Sequence, residues 1–121
     1  MRQKDVLGRR GEGIAAEFLT AAGFRILERN WRCQVGEIDI VARDGPSLVV
    51  VEVKTRSSVE FGHPFEAITP AKLKRLHLLA AAYVAAHPEF RSSRTRIDVL
   101  GVIAPRHGRT PPSIEHLREV A

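Results

Sequence analysis

Residues 36–55, GEIDIVARDGPSLVVVEVKT, are the stretch that decides the fold. Two runs rich in isoleucine and valine, 36–43 and 48–55, stand on either side of the polar turn sequence DGPS. In a two-residue type II′ turn the first central position needs a positive φ, which Gly45 supplies, and the second tolerates the fixed φ of Pro46. The stretch therefore predicts a β-hairpin closed by these two residues.

The hairpin also sets which side chains face one another. Counting back from the turn pairs Asp44 with Ser47 and brings Asp39 opposite Glu52, where Cβ atoms lie about 4.5–5.5 Å apart on one face. Lys54 projects from the same face as Glu52, because alternate residues of a strand point the same way. The alternation predicts that the other face of the first strand is apolar and holds Ile38, Ile40 and Ala42.

The facing carboxylates of Asp39 and Glu52 need a compensating interaction. Opposed like charges destabilise a sheet, and ionised groups among isoleucines and valines are costly to bury. A shared proton, a bridge from Lys54 or a divalent cation would each relieve the repulsion. Mg²⁺ prefers carboxylate oxygens and keeps waters that a phosphate can replace. A metal site and a salt-bridge ladder on a solvated sheet face are both open at this point, with Glu12 as a candidate third carboxylate and Glu37 as its substitute.

Outside the hairpin, the periodicity predicts an α-β-β-β-α-β order. Helical spacing runs from Val6 to Ala22, with Asp5 as a candidate N-cap and Gly23 where a left-handed C-terminal residue is expected. Thr69 and Pro70 are the N-cap and first residue of a second helix. The remaining predicted segments are a strand at 24–29, a link at 30–35, a loop at 56–68, a strand at 95–103, a loop at 104–112 and a short last element, a candidate strand, at 114–120. We expect one mixed α/β domain over 1–121.

The net charge of +5 is unevenly distributed along the 121 residues. Residues 1–35 carry seven basic and four acidic side chains, residues 36–66 three and six, and residues 67–121 nine and four. Basic flanks around an acidic centre are what a metal-dependent phosphodiesterase needs, since carboxylates alone would repel backbone phosphates. The candidate phosphate contacts, which are equally compatible with solvated helix faces, are Arg9, Arg10, Arg32, Lys72, Lys74 and Arg75.

Several protein classes are disfavoured. No apolar run approaches the roughly 20 residues of a membrane-spanning helix, and the N-terminal stretch has no signal-peptide apolar region. The single cysteine, Cys33, excludes an intramolecular disulfide framework and predicts a free, partly buried thiol in the reducing cytoplasm. A zinc site or a thiol nucleophile has no support from neighbouring residues.

With these residues in hand, the chain resembles the YraN family of small bacterial proteins. The matching segments are GRRGEGIAAEFLTAAGFRILERNWR, VGEIDIVARDG, LVVVEVKTRSS and FGHPFEAITPAKLKRL, in this order between Gly8 and Leu76. That family is similar to the PD-(D/E)xK, restriction-endonuclease-like superfamily and, within it, to archaeal Holliday-junction resolvases. The resemblance implies a restriction-endonuclease-like αβββαβ core, in which helices flank a mixed central sheet and the site lies on the hairpin.

The resemblance also implies roles for individual residues. Asp39 matches the metal-binding aspartate of the superfamily, and Glu52 and Lys54 match its E-x-K, with Val53 offering a backbone carbonyl to the metal. Glu12 matches the helix-one glutamate of the resolvases. The segment before the aspartate lacks the proline of the motif name, a departure that removes no ligand.

The function implied is that of a Mg²⁺- or Mn²⁺-dependent endonuclease acting on branched or structured DNA. In this interpretation Asp39, Glu52 and Glu12 serve the metal, Lys54 positions the nucleophile, and a homodimer makes paired cuts. An alternative is a DNA-binding accessory module that keeps the fold without turnover. A third is a protein-interaction domain using the surfaces of Trp31 and of residues 61–65.

Overall fold

The computed structural model describes residues 3–58, 60, 62–106 and 110–120, and these form a mixed α/β fold. In chain order the elements are α1 (Gln3–Ala21), β1 (Arg25–Cys33), β2 (Gly36–Asp44), β3 (Ser47–Arg56), α2 (Pro70–Ala86), β4 (Arg94–Ile103) and β5 (Ser113–Leu117), with 3-10 turns at Pro64–Ala67 and Pro88–Phe90. The five strands lie in the order β1-β2-β3-β4-β5. Strands β3 and β4 are parallel, and the other neighbours are antiparallel. The predicted αβββαβ core is confirmed, and β5 extends the sheet.

The sheet has an apolar layer on each side because β3 is buried on both faces. Val49, Val51 and Val53 pack under α1 with residues such as Leu19, whereas Leu48 and Val50 face α2. Each fully buried branched side chain contributes about 1.5–3 kcal/mol to the free energy of unfolding. This double layer makes β3 the rigid centre of the molecule.

The β2–β3 hairpin has the predicted register. Gly45 has a φ of 58°, as a type II′ turn requires at its first central position. The pairs run from Asp44 and Ser47 to Ile40 and Val51. Beyond that pair the ladder between the two strands stops. The hairpin is therefore closed at its turn and opens at the end where Asp39 lies.

Strand β1 differs from the prediction because it continues to Cys33, through residues that the sequence pattern assigned to a link. Its second half pairs with β2 on either side of Asn30, as in Arg29 with Ile40 and Trp31 with Ile38. Asn30 interrupts the alternation with a φ of 56°, so periodicity could not predict this half. The single apolar face predicted for β2 is also wrong: Ile40 and Ala42 pack on the α1 side, but Ile38 packs on the α2 side. The strand loses regular alternation at the point where it separates from β3.

Helix α1 begins at Gln3, so Asp5 lies inside it and is not its N-cap. The C-terminal prediction is confirmed, since Gly23 has a φ of 94° and the Phe24 amide donates to the Leu19 carbonyl at 2.9 Å. The start of α2 is also as predicted, with the Thr69 hydroxyl accepting from the Lys72 amide. None of the helices in the described ranges is long and apolar enough to cross a membrane.

The approach of α1 to the sheet depends on Gly11. A Cβ placed on Gly11 would lie 1.8 Å from Oγ1 and 2.7 Å from Cγ2 of Thr55 on β3. Real Cβ atoms do not approach other atoms so closely, so only glycine permits this contact. The next residue, Glu12, is consequently held close to the open end of the hairpin.

Strand β5 is fastened by a buried ionic network that no pattern in the sequence predicts. Asp98 on β4 is fully buried and accepts from Nε and Nη2 of Arg96 at 2.9 and 2.8 Å. His116 on β5 lies with its Nε2 2.7 Å from the same carboxylate, and the Glu119 amide donates to it at 3.1 Å. Because these partners saturate the carboxylate, Asp98 serves the fold.

Candidate active site

The candidate site begins where β3 changes from apolar to charged side chains. On its α2-facing side Leu48 and Val50 are followed by Glu52 and Lys54, which are only partly buried. Across the open end of the hairpin, Oδ2 of Asp39 accepts a hydrogen bond from the Val53 amide at 2.8 Å. The aspartate thus replaces a backbone partner that β2 no longer provides. This bond fixes the carboxylate of Asp39 next to Glu52.

The carboxyl groups of Asp39 and Glu52 are forced together. The pKa of Asp39 is raised from 3.8 to about 8. Burial is the largest cause of this rise, and the hydrogen bond and negative charge of Glu52 contribute the rest. The Val53 amide and the Lys54 ammonium act in the opposite direction but do not offset these effects. Around neutral pH, without a cation, Asp39 therefore retains a proton in the folded protein. This matches the shared proton that the sequence offered as one form of compensation.

Lys54 provides only part of the compensating charge. Its Nζ lies 3.8 Å from Oε2 of Glu52, at the long end of the ion-pair range. A cleft of about 200 Å³ opens beside this pair, between the sheet and α2. The charged residues that line it are Glu37, Glu52, Lys54, Lys72 and Arg75.

Basic groups from α2 crowd the same cleft. The pKa of Lys72 is lowered chiefly by the neighbouring Lys54, because the two positive charges repel each other, and burial and Arg56 add to the lowering. Glu52 opposes this effect. Two ammonium groups held this close repel each other unless an anion lies between them. The cleft therefore combines a carboxylate wall with a cationic rim of a kind that suits a phosphate.

Glu12 extends the acidic row from α1. Burial raises its pKa, and the negative charges of Asp39 and Glu37 raise it further. The positive charge of Arg29 and a side-chain hydrogen bond from Asn30 lower it. Glu12 thus lies within electrostatic reach of Asp39, as Asp39 does of Glu52 and Lys54. The structure therefore places Glu12 near Asp39 and Asp39 near Glu52 and Lys54, and of these four residues Glu52 and Lys54 line the cleft.

Two carboxylates, not three, form the tight centre of this arrangement. Within residues 3–58, 60, 62–106 and 110–120, no three histidine, cysteine, aspartate or glutamate side chains converge closely enough to hold one ion. Asp39 and Glu52 alone fit a hard cation such as Mg²⁺, which is usually bound through one or two carboxylates, with waters and substrate phosphates completing its shell. The pKa of Asp39 is raised by burial and by the neighbouring Glu52, so a cation between the two carboxylates would favour the ionised form.

The predicted phosphate contacts divide into two groups. Lys72 and Arg75 line the cleft, whereas Lys74 is exposed on α2 and is not among the lining residues. Nε of Arg32 donates to Glu37 at 3.0 Å in an exposed pair, and Nη1 of Arg10 donates to the Pro105 carbonyl at 3.0 Å. Arg9 is exposed on α1, away from the cleft lining.

Sequence reasoning missed three residues that act on the site: Arg29 and Asn30 beside Glu12, and Arg56 beside Lys72. The first two lie where the strand was predicted to end, so no face could be assigned to them. Of the proposed interaction surfaces, Trp31 packs half-buried against Tyr83 with ring centroids 5.1 Å apart, and Phe61 lies outside the described residues. Cys33 is half-buried and free, as predicted.

A second, larger depression offers less chemistry. This open groove of about 490 Å³ lies between α2 and the start of β4 and is lined mainly by small apolar side chains, such as Ala81 and Val84. Among the residues that the structure describes, no carboxylate and no lysine lines it. The smaller charged cleft is therefore the stronger candidate for an active site.

Comparison with known proteins links the chain to a bacterial family. A family model described as "Uncharacterised protein family UPF0102" matches residues 11–102. This range includes Glu12, Asp39, Glu52 and Lys54. The UPF0102 protein of Paenarthrobacter aurescens (strain TC1) is 56% identical over 99% of this chain and 97% of its own length. That of Arthrobacter sp. (strain FB24) is 57% identical over 99% of both chains. The UPF0102 protein of Streptomyces coelicolor is 50% identical over 100% of this chain and 92% of its own.

Proposed function

This chain belongs to the UPF0102 (YraN) family, and we propose that it is a Mg²⁺- or Mn²⁺-dependent endonuclease that hydrolyses phosphodiester bonds in branched or structured DNA. The observation that carries the proposal is the pairing of Asp39 with Glu52 at the open end of the β2–β3 hairpin. This position weakens the metal-free fold, because burial and the neighbouring Glu52 raise the pKa of Asp39 and disfavour its ionised form. A divalent cation would reverse that effect.

Asp39 and Glu52 would hold the ion, together with the carbonyl of Val53, and Glu12 would serve it directly or through a water molecule. When bound, the ion supplies Lewis-acid polarisation of the phosphate and lowers the pKa of a coordinated water. The protein contributes the geometry, since the Val53 amide holds Asp39 in place at 2.8 Å. Ligands that are already fixed before the ion binds require little reorganisation.

Lys54 is proposed to orient the attacking water. Its ammonium group borders the cleft and is held by Glu52 at 3.8 Å, so it can donate to a water or to a phosphate oxygen. The water attacks phosphorus, and one ester oxygen leaves and takes up a proton. Lys72 and Arg75 bind the non-bridging oxygens, where positive charge favours the more negative transition state. The basic flanks of the chain bind neighbouring phosphates.

Cleavage of a labelled four-way junction with Mn²⁺ tests the proposal. Wild type is compared with Asp39→Asn, Glu52→Gln and Lys54→Ala, with Glu17→Gln, an exposed residue of α1, as the matched control. We expect cleavage by wild type and control, abolished by EDTA, and a loss of at least about 100-fold in the three site variants. Equal cleavage by all five proteins would mean that a contaminating nuclease is responsible, and the proposal would fail.

Two further measurements separate the alternatives. The second substrate is a linear duplex with the sequence of one junction arm. If it is cut as fast as the junction, the proposed preference for branched DNA is refuted. An accessory module without turnover would bind DNA in a salt-dependent way, with an affinity that ignores Mg²⁺ and survives Glu52→Gln. Calorimetric titration of Mn²⁺ into wild type and Asp39→Asn determines whether the acidic pair binds metal at all.

A further inference from the structure

Two arginines face each other across strands β1 and β2, close to the Gly45 turn. Arg25, at the start of β1, is the cross-strand partner of Arg43 on β2. Directly opposed residues share one face of a sheet, with Cβ atoms about 4.5–5.5 Å apart, and like charges in this position are destabilising. The face is the α2 side, because the guanidinium carbon of Arg43 lies 5.8 Å from the ring centroid of Phe90, which packs in that apolar layer.

The two arginines are left without a compensating acid in the part of the chain that the structure describes, since neither guanidinium forms an ion pair there. The nearby acids on the same two strands have other partners. Glu28 accepts from the Tyr83 hydroxyl at 3.3 Å, and Asp44 accepts from Nη1 of Arg96 at 2.9 Å. An anion from outside the chain would relieve the repulsion between the two guanidinium groups.

The chemistry of the pair suits a phosphate. A guanidinium presents planar N–H donors in a geometry that matches the oxygens of a phosphate. Arg25 is exposed to solvent, whereas Arg43 is half-buried against an aromatic ring. One donor group is therefore held in place and the other is free to close on a ligand.

The position of the pair relative to the acidic site matches the spacing of DNA phosphates. Arg43 follows Asp39 by four residues on β2, which corresponds to about 13 Å at about 3.3 Å per residue. Successive phosphates of one strand of B-DNA are about 3.4 Å apart along the helix axis. The arginine pair and the acidic pair are thus separated by about four nucleotides.

We propose that Arg25 and Arg43 form a second phosphate-binding site, which holds the DNA backbone about four nucleotides from the bond that is cut. This inference rests on the proposed function, because the DNA that the arginines hold is the substrate of the acidic site. The contact carries no base specificity, since a phosphate presents the same group at every nucleotide. The competing explanation is that charge on β1, an edge strand, only prevents pairing with another chain.

The repulsion between the arginines is tested without DNA. Arg25→Glu places an acid opposite Arg43 and should raise the urea midpoint of unfolding by about 0.2–0.5 M. The gain should disappear in an Arg43→Gln background. Arg9→Glu, which changes the net charge equally on α1, should not raise the midpoint. An unchanged midpoint in Arg25→Glu, or the same gain in Arg9→Glu, would show that the two arginines do not repel each other and would overturn the inference.

Junction binding in EDTA tests the phosphate contact separately from cleavage. Each neutralised phosphate contributes about 0.9 to the slope of log affinity against log salt concentration. Arg25→Glu removes one contact and pairs the guanidinium of Arg43 within the protein, so the slope should fall by about 2. The control Arg9→Glu lies two residues from Gly11, which contacts the far end of β3, and should lower the slope by about 1 at most. Equal reductions would reduce the effect to net charge, and no reduction would leave only edge protection; either result overturns the inference.

The location of the contact is tested with junctions that carry a single methylphosphonate, which removes the charge of one phosphate. We expect wild type to lose affinity when the neutral group lies about 3–5 nucleotides from the cleaved bond, and Arg25→Glu to be insensitive there. An equal loss in both proteins would overturn the inference alone. A wild type that binds the junction with the expected slopes but never cuts it would refute the endonuclease and leave the phosphate site standing, whereas a wild type that binds no DNA would refute both.

Discussion

Replacing Asp39 by asparagine should stabilise the metal-free protein, although it removes a proposed catalytic group. The asparagine oxygen can still accept the hydrogen bond of the Val53 amide. The substitution removes only the carboxyl group whose pKa burial and Glu52 raise from 3.8 to about 8. Sites that are costly to the fold in this way are typical of functional positions.

The size of the effect follows from proton uptake. Between pH 5 and pH 7 Asp39 is ionised in the unfolded chain but protonated in the folded one, so folding binds about one proton. Each unit of increase in pH then lowers the free energy of unfolding by about 1.4 kcal/mol, so the increase from pH 5 to pH 7 lowers it by about 3 kcal/mol. The stability associated with this proton is fully present below about pH 4 and is lost as the pH rises towards about 8.

Urea unfolding in EDTA at pH 5, 6 and 7 measures this difference. Trp31, the only tryptophan, packs on Tyr83 and reports unfolding by its fluorescence. We expect the difference in free energy of unfolding between Asp39→Asn and wild type to increase by about 3 kcal/mol from pH 5 to pH 7, in favour of the variant. Glu17→Gln should show the same pH dependence as wild type. If wild type and Asp39→Asn change in parallel with pH, Asp39 does not retain the proton and the argument for a strained carboxylate pair fails.

Three other substitutions test the fold and the cleft. Gly11→Ala places a Cβ 1.8 Å from the side chain of Thr55 on β3 and should lower the free energy of unfolding in urea by about 1–3 kcal/mol. The control Gly13→Ala, which has nothing within 4 Å of its added Cβ, should be neutral or stabilising. Equal effects of the two substitutions would contradict the close approach of α1 to β3. Asp98→Ala removes the buried carboxylate that binds Arg96 and His116, leaves Arg96 with Asp44 as its remaining acidic partner, and should cost about 3–5 kcal/mol in the same assay. A loss below about 1 kcal/mol would refute the structural role of the network. Lys72→Ala should reduce the slope of log affinity for the junction against log salt concentration by about 1, and Lys74→Ala should reduce it by less. A larger reduction for Lys74→Ala than for Lys72→Ala would exclude the cleft as the phosphate site.

The sequence was sufficient wherever the determining signal was local. The turn chemistry of Gly45 and Pro46 set the hairpin register as far as Ile40 and Val51, and extending that register by one residue predicted the approach of Asp39 to Glu52. Thr69 and Pro70 marked the start of α2 for the same reason. Helical spacing could also have separated Lys72 and Arg75, three residues apart, from Lys74 on another face.

What the sequence could not provide depends on contacts between distant segments. Ile38 changes sides because β2 leaves β3, which no alternation within β2 reveals. The left-handed backbone of Asn30 lies on β1 beside the place where β2 separates from β3. One partner of the buried Asp98 is His116, which lies 18 residues further along the chain on β5. These features require the assembled sheet.

The hairpin also separates an exposed turn, where the chain can be altered, from the acidic pair at its open end. Gly45 and Pro46 are exposed, and five strand residues lie between Asp39 and Gly45, which at about 3.3 Å per residue puts the turn roughly 20 Å from the acidic pair. Short surface turns of this kind accept insertions well. A fluorophore or an affinity handle attached at this turn would label or immobilise the protein without touching the cleft.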